Sequence, residues 1–135
     1  MATSTPQFLY MLDEDLYRLG NATSPKVHNV RPGKDIQTYD RNGIAMVRSN
    51  GQGISLITEE RLQRERVRHA GSHLWKLPAN FPMPPGLALM PDTQDLRPGQ
   101  IPDHYLLCPQ SDMPLSEYVA LLSKLALKLE RVQKL

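Results

Sequence analysis

The apolar residues of this chain fall into short runs that turn-forming residues interrupt. The runs cover residues 9–11, 16–19, 44–47, 54–57, 73–77, 87–90 and 104–108. Several contain four or five residues and stop at Gly or Pro, which is typical of short β-strands. We expect at least one of the first two runs to enter the core and to end at Gly20 and Asn21. The run at 104–108 is predicted to be the last strand.

Two of these runs flank a glycine-rich segment at residues 50–53. Apolar runs on both sides of such a segment predict a β-hairpin over residues 44–58, inside the β core. Ser55 lies between two apolar residues of the second run, so its side chain should point to the opposite face of the strand. Residues 21–40 are polar and contain two prolines, and we expect a surface loop there.

A first helix is predicted from Thr58 to about His69. Glu59 and Glu60 lie in its first turn and arginines lie near its end, an arrangement that the helix dipole favours. Four arginines and one glutamate occupy residues 61–69. This face is either solvated and rich in internal ion pairs, or it binds phosphate or nucleic acid. No aromatic residue lies among the arginines, which argues against single-stranded nucleic acid.

A second helix is predicted over residues 112–135, with Asp112 as its cap and Pro114 in its first turn. Its apolar residues recur every three or four positions, as on one face of a helix. They are Leu115, Tyr118, Val119, Leu122, Leu125, Ala126, Leu129 and Val132. We expect this helix to pack on the domain. Leu127 and Leu135 lie off the stripe and keep open the alternative of a partner-binding helix.

Composition limits the class of protein. The 135 residues suffice for one domain, which we expect to span 1–135. Hydrophobic residues make up 40% and charged residues 22%, which excludes collagen-like, fibrous and wholly disordered chains. The apolar runs are far shorter than the ~20 residues of a membrane span, and residues 1–10 do not resemble a secretory signal. We therefore expect a cytoplasmic protein without a membrane anchor.

The remaining composition favours an α+β fold and no nucleic-acid partner. Twelve prolines favour short strands joined by coil over a helical bundle. Strands that do not alternate regularly with helices indicate α+β. A net charge of +2 is too small to indicate nucleic-acid binding. The single Cys108 excludes an intrachain disulfide.

Familiar catalytic motifs are missing from the sequence. It contains no G-x-G-x-x-G, no phosphate-binding loop and no G-x-S-x-G. The histidines do not have metal-ligand spacing, so we predict no metal site; they are His28, His69, His73 and His104. Cys108 lies in an apolar run without a neighbouring base, so we expect it to be buried and inert.

Several short segments, taken in order, carry a resemblance to a known family. They are Leu16-Tyr17-Arg18, Val30-Arg31-Pro32 with Asp35-Ile36, Gly51-Gln52-Gly53-Ile54-Ser55, Leu77-Pro78-Ala79 with Met83-Pro84-Pro85-Gly86-Leu87, and His104-Tyr105-Leu106-Leu107-Cys108-Pro109 with Met113-Pro114-Leu115. Their order and spacing resemble the small ADP-ribosyltransferase-like toxins that the bacterial type VI secretion system delivers. The resemblance extends from Leu16 to the start of the last helix.

This resemblance implies an α+β fold with a split β core, as in the NAD-binding domain of ADP-ribosylating toxins. It also implies an effector that acts in the target-cell cytosol, uses NAD and is neutralised by a cognate immunity protein. A related NAD hydrolase and a non-enzymatic binding protein with a degenerate fold are the alternatives.

The resemblance also indicates candidate site residues. Arg18, on the first core strand, matches the arginine or histidine that holds the ribose or phosphate side of NAD, and Ser55 matches the serine that braces the site. Tyr17, Ile54 and Tyr105 would join Arg18 and Ser55 in NAD binding, and His104 would join them in catalysis. Each assignment has a structural alternative. Arg18 would then be a surface arginine and Ser55 a solvent-facing serine, and His104 and Tyr105 would only start a half-buried strand.

One departure from the family pattern affects the predicted chemistry. Breaking the bond between nicotinamide and ribose develops positive charge on the sugar, which a carboxylate can stabilise. Many transferases carry a glutamate near the last strands for this purpose, but no glutamate lies between Glu65 and Glu117. The polar residues near that place are Gln100, Asp103 and His104. The departure favours hydrolysis or binding over transfer to a protein.

Overall fold

The fold was analysed on a computed structural model that describes residues 8–93 and 97–135. In chain order the elements are β1 (Leu16–Gly20), β2 (Thr38–Arg41), β3 (Ile44–Val47), β4 (Ile54–Thr58), α1 (Glu59–Glu65), β5 (His73–Leu77), β6 (Leu87–Pro91), β7 (His104–Pro109), β8 (Met113–Pro114), α2 (Leu115–Ala126) and β9 (Glu130–Lys134). The strands expected near residues 16, 73, 87 and 104 are confirmed as β1, β5, β6 and β7. The prediction that the run at 104–108 is the last strand is wrong, because β8 and β9 follow it. The predicted run at 9–11 contributes only an isolated bridge between Leu9 and Leu89.

The strands form two separate antiparallel sheets. One has the order β6-β7-β4-β1-β5-β9, and the other has the order β2-β3-β8. Strands and helices do not alternate regularly along the chain, so the fold is α+β, as predicted. The two sheets are consistent with the small split β core that the resemblance implies.

The predicted hairpin over residues 44–58 is wrong, because β3 and β4 belong to different sheets. The real hairpin joins β2 to β3 through Asn42 and Gly43, whose φ angles are 53° and 85°. Positive φ at both turn residues gives the turn a twist that matches the flanking strands. The hairpin therefore forms at Asn42 and Gly43 and not at residues 50–53. Strand β2 therefore lies where we expected only loop. The glycine-rich segment at residues 50–53 is not a hairpin turn; it connects β3 of the three-stranded sheet to β4 of the six-stranded sheet.

Helix α2 packs on the β core as predicted: it lies beside β3 and β8 of the small sheet, and Tyr118 ties it to the large sheet. The hydroxyl of Tyr118 donates a 2.6 Å hydrogen bond to the carbonyl of Leu107 on β7 and accepts a 3.3 Å bond from the Ile54 amide on β4. Gly53 makes this contact possible, since a Cβ there would lie 1.8 Å from the Leu107 carbonyl oxygen and 2.9 Å from the Tyr118 hydroxyl.

The long C-terminal helix was predicted wrongly. Helix α2 ends at Ala126, and Glu130–Lys134 forms β9, which pairs with β5. Pairing with the open edge of β5 gives this segment backbone hydrogen bonds with a distant strand, which a local helical pattern does not reveal. Asp112 is also not the helix cap, because its carboxylate accepts from the Ser49 amide and the Tyr39 hydroxyl.

Helix α1 begins as predicted but is shorter. The Thr58 hydroxyl accepts from the Arg61 amide at 3.4 Å and caps the helix, which ends at Glu65 instead of near His69. The internal ion pairs expected of this helix are confirmed by Arg61 and Arg68, which both contact Glu65.

Tyr118→Phe should lower the free energy of unfolding by about 1–3 kcal/mol, because the buried Leu107 carbonyl and Ile54 amide both lose their side-chain partner. Tyr39→Phe is the matched control. Its hydroxyl bonds Asp112 in an exposed position, so we expect a loss of about 1 kcal/mol or less. Urea denaturation of the two variants measures the difference. Equal losses would show that Tyr118 does not hold α2 to the sheet.

Candidate functional site

Strands β1 and β4 are neighbours in the large sheet, but they separate soon after they meet. Their pairing register consists of Leu16 with Thr58 and Tyr17 with Ile57. Past this point the Arg18 guanidinium bridges the two strands: Nη1 donates to the Ser55 carbonyl at 3.0 Å and lies 3.4 Å from Ser55 Oγ. The separation therefore brings Arg18 and Ser55 together.

Arg18 is held from a second side and keeps one unused donor. Its Nη2 lies 3.5 Å from the Lys26 carbonyl oxygen. Its Nε is buried and has no hydrogen-bond partner among the described residues. Burial lowers the pKa of Arg18, and the nearby Asp35 carboxylate opposes that shift. Arginine remains protonated in proteins, so Arg18 is a cation with spare hydrogen-bonding capacity.

A cavity of about 260 Å³ opens beside Arg18, between the sheet and α1. We call it the first cavity. It is lined by Tyr17, Arg18, Leu19, Ser55, Ile57, Arg61, Glu65, Arg68, His69 and His104. Four residues that the sequence indicated, Tyr17, Arg18, Ser55 and His104, therefore lie around one space.

Tyr17 and His104 are each held by a carboxylate. The Tyr17 hydroxyl donates a 2.6 Å hydrogen bond to Glu59 Oε2, and burial together with Glu59 raises its pKa. His104 Nδ1 lies 3.0 Å from Asp92 Oδ2. Burial lowers the pKa of His104 below 6.5, although Asp92 opposes the shift. The imidazole is therefore mostly neutral at pH 7.

A further depression of about 270 Å³ lies on the other side of Ser55. We call it the outer depression. Lys34, Asp35, Gln52 and Gly53 contribute to its walls together with Ser55. The first cavity and the outer depression thus meet at Ser55, with the Arg18 guanidinium bound to the same residue.

The sequence model of the family described as Tse2 ADP-ribosyltransferase toxin matches residues 10–134. The chain belongs to this toxin family. The match covers nearly the whole chain and confirms the resemblance that the short segments carried. Comparison with curated protein sequences gave no match.

Two predicted site residues of this Tse2-family toxin lie elsewhere. The Ile54 side chain is 1% exposed and that of Tyr105 is 6% exposed, and both belong to the main hydrophobic core. Side chains alternate between the two faces of a strand. The neighbours Ser55 and His104 therefore reach the first cavity, whereas Ile54 and Tyr105 point into the core.

The sequence left a phosphate-binding face on α1 open, but it did not place α1 and the turn after it beside Arg18 and Ser55. Glu65 lines the first cavity, and its carboxylate lies 3.2 Å from Arg61 Nε, 3.3 Å from His69 Nε2 and 3.9 Å from Arg68 Nη1. The spacing of these charges was visible in the sequence. The position of α1 over the sheet was not, because it depends on Leu62, which packs against Tyr17 and Leu74.

The toxin's described residues offer neither a metal site nor a reactive thiol. Among the described residues no group of three or more His, Cys, Asp or Glu side chains could hold a metal ion. Cys108 is buried as predicted, and burial raises the pKa of its thiol to about 12. The thiol is therefore protonated and a poor nucleophile.

Neither helix of the described residues is long and apolar enough to cross a lipid bilayer.

The Glu65 cluster should give the fold a pH dependence. Burial raises the pKa of Glu65, but hydrogen bonding to His69 and the charge of Arg61 outweigh it, so the pKa lies below 4.5. The ionised carboxylate thus stabilises the fold above its unfolded pKa, and this contribution is lost as the pH falls through its folded pKa.

We expect Glu65→Gln to lower the free energy of unfolding at neutral pH, and the difference from the wild type to shrink as the pH falls below 4.5. Urea denaturation across that range measures it. Glu117→Gln is the control, because Glu117 is an exposed first-turn residue of α2. A Glu65→Gln difference that stays constant with pH would contradict the assignment.

Proposed function

We propose that this toxin takes NAD as its ADP-ribosyl donor in the first cavity and acts in the cytosol of a target cell after export by a secretion machine. The observation that supports this most strongly is that Arg18 and Ser55, joined across the gap between β1 and β4, line one cavity together with His104. These residues come from three different strands of one sheet. Membership of the toxin family supports the same donor.

The shape and charge of the site fit a dinucleotide. The first cavity and the outer depression share Ser55, so the two nucleoside halves of NAD would lie on either side of it. The anionic pyrophosphate would then lie near the Arg18 guanidinium, whose Nε lacks a partner among the described residues. Arginine suits this contact because its donors form charge-assisted bonds to phosphate oxygens.

Bound NAD would supply a ribosyl bond with nicotinamide as its leaving group. Arg18 would hold the phosphate or ribose oxygens, and Ser55 would brace the guanidinium. The Tyr17 ring would offer an aromatic surface, since its hydroxyl is already fixed by Glu59. Glu65 would place an ionised carboxylate in the same cavity, where a negative charge stabilises positive charge that develops on the ribose.

Hydrolysis of NAD is the second candidate activity. The observation that favours it is the lack of a glutamate between Glu65 and Glu117, where transferases often carry one. Incubation with NAD labelled in its adenylate half separates the two activities. Nicotinamide release with all the label in free ADP-ribose indicates hydrolysis, and label bound to macromolecules of a cell lysate indicates transfer. No release of nicotinamide would leave a non-enzymatic toxin that acts by binding.

Arg18→Ala and Ser55→Ala should strongly reduce toxicity on expression in a bacterium. Arg18→Ala removes charge-assisted bonds to the donor, and we expect a loss of about ten- to a hundredfold in nicotinamide release. Ser55→Ala should cost less, because its hydroxyl makes only a 3.4 Å contact to Arg18. Arg66→Ala is the control, since Arg66 is exposed beyond the end of α1.

Thermal denaturation must show that all three variants fold. If Arg66→Ala protects cells and Arg18→Ala does not, the basic surface of α1 becomes the better candidate for the active surface. If none of the three folded variants loses toxicity, NAD chemistry at this gap is excluded in favour of a binding mechanism.

A cognate immunity protein is the expected partner, and we propose that it covers the first cavity. A protein that fills this space blocks the donor directly, whereas a protein bound only to α2 must act through a conformational change. Arg68 lies on the rim of the first cavity with an exposed side chain. Leu127, which follows α2, is 83% exposed and marks the surface that a protein bound only to α2 would contact.

Arg68→Glu should weaken binding of the immunity protein by about tenfold or more, because reversal of a charge inside an interface costs several kcal/mol. Leu127→Asp should leave the affinity unchanged. Calorimetric titration of each variant with the partner measures both. The reverse pattern would place the contact on α2.

A further inference from the structure

A second cavity of about 260 Å³ adjoins the first on the side of α1 that faces β7. The two share Arg61, Glu65 and His104. The walls that belong to the second cavity alone include Gln100 and Asp103 and are strongly polar. Molecules in the two cavities would therefore meet at a shared wall that His104, Arg61 and Glu65 form.

We propose that the second cavity admits the acceptor of the reaction, a hydroxyl group, and that His104 removes the proton of this hydroxyl while Asp92 positions the imidazole. The proposal rests on the proposed use of NAD in the first cavity. Water and an alcohol share the O–H chemistry, so both qualify as acceptors.

The register of the sheet places His104 beside the donor site. Tyr17 on β1 pairs with Ile57 on β4, and Ile57 pairs with His104 on β7. Cross-strand partners point to the same face of a sheet. The three side chains therefore form a row across the floor of the first cavity, and His104 lies at the end of the row next to the second cavity.

The Asp92 contact selects the ring nitrogen that is free to accept a proton. A carboxylate oxygen 3.0 Å from Nδ1 favours the neutral tautomer that carries its proton on Nδ1. Nε2 is then an acceptor. It makes no hydrogen bond among the described residues and is not among their fully buried unpaired atoms. His104 thus presents a free lone pair in a side chain that is 21% exposed.

Burial keeps the imidazole neutral against the nearby carboxylates. Burial lowers the pKa of His104 and Arg61 lowers it further, whereas Asp92 and Asp103 raise it without reversing the shift. Glu65, from α1, faces both cavities as well, and Arg18 and Arg68 line the first and Arg64 the second. A neutral imidazole serves a hydroxyl acceptor well, because a hydroxyl must lose a proton as it attacks, whereas a carboxylate acceptor needs no base.

The step balances without a further reactant. The hydroxyl O–H bond breaks and its proton goes to His104 Nε2, while the oxygen forms a bond to C1′ of the ribose. The bond between C1′ and nicotinamide breaks, and its electron pair leaves with nicotinamide. His104 then returns the proton to solvent through the second cavity.

The first test measures nicotinamide release against pH for the wild type, His104→Gln and Asp92→Asn. The wild-type rate should fall in acid with an apparent pKa below 6.5, because the protonated imidazole cannot act as a base. His104→Gln should lose about a hundredfold or more and should lack this acid limb. Asp92→Asn should move the limb to lower pH, since it removes a charge that raises the pKa of His104.

His28→Gln is the matched control, because His28 lines neither cavity. A folded His104→Gln variant that keeps the acid limb and a rate within about threefold of the wild type overturns the proposal. Added methanol identifies the acceptor class: a methyl glycoside of ADP-ribose beside free ADP-ribose supports a hydroxyl site. Capture by the guanidine agmatine and not by methanol overturns it.

A second readout needs neither NAD nor turnover. Nitrogen-15 NMR of the free protein should show the His104 proton on Nδ1 at neutral pH, with His104→Gln used to assign the signal. Asp92→Asn should weaken this preference while the signal of His28 stays unchanged. A His104 proton on Nε2, or a charged ring at neutral pH, overturns the proposal. Failure of the wild type to release nicotinamide would instead contradict the proposed use of NAD.

Discussion

The separation of β1 from β4 after two residue pairs is the constraint on which the candidate site depends. By strand alternation the Arg18 side chain belongs to the face opposite Tyr17, where its cross-strand neighbour is Trp75. In a continuous ladder, Ser55 would pair with β1 and no guanidinium could enter. Because the strands part, the guanidinium of Arg18 takes the place of a strand partner and binds the Ser55 carbonyl at 3.0 Å. A buried carbonyl without a partner is costly, so the same bond stabilises the gap and fixes the cation.

The gap opens toward β1 because the other side of β4 is locked. Ile54 pairs with Leu107 on β7, and the Tyr118 hydroxyl bonds the amide of one and the carbonyl of the other. Gly53 lets the strands and the helix approach this closely, since any Cβ would overlap the Leu107 carbonyl. With β4 held to β7 and to α2, the gap lies on the side of β4 that faces β1. The helix that the sequence predicts as a packing element therefore also fixes the strand that borders the site.

The parts of the fold that the sequence predicted are those that depend on neighbouring residues. The Ser55 side chain was placed on the correct face because alternation within one strand decides it. The start of α1 was predicted correctly because the Thr58 cap acts over only three residues. The predicted hairpin failed because pairing partners lie far apart in the chain. The Asn42–Gly43 turn carried a local signal, but the strand before it contains polar residues. Strand β9 was missed for the same reason, since only the open edge of β5 makes it a strand.

The same difference between local and distant contacts decides which residues of the candidate site the sequence indicated. The resemblance of short segments indicated Arg18, Ser55 and His104, which all lie on strands, and the structure places the three around one cavity. Arg61 and Glu65 reach the cavities only because Leu62 seats α1 on Tyr17 and Leu74. The turn after α1 is bound by Leu135, which directly follows β9, since Leu135 accepts from the Gly71 amide at 2.7 Å and donates to the Ser72 carbonyl at 2.8 Å. Helix α1 supplies Arg61 and Glu65, two of the three residues that both cavities share. The pairing of β9 with β5 therefore helps to hold the turn that follows the helix lining both cavities.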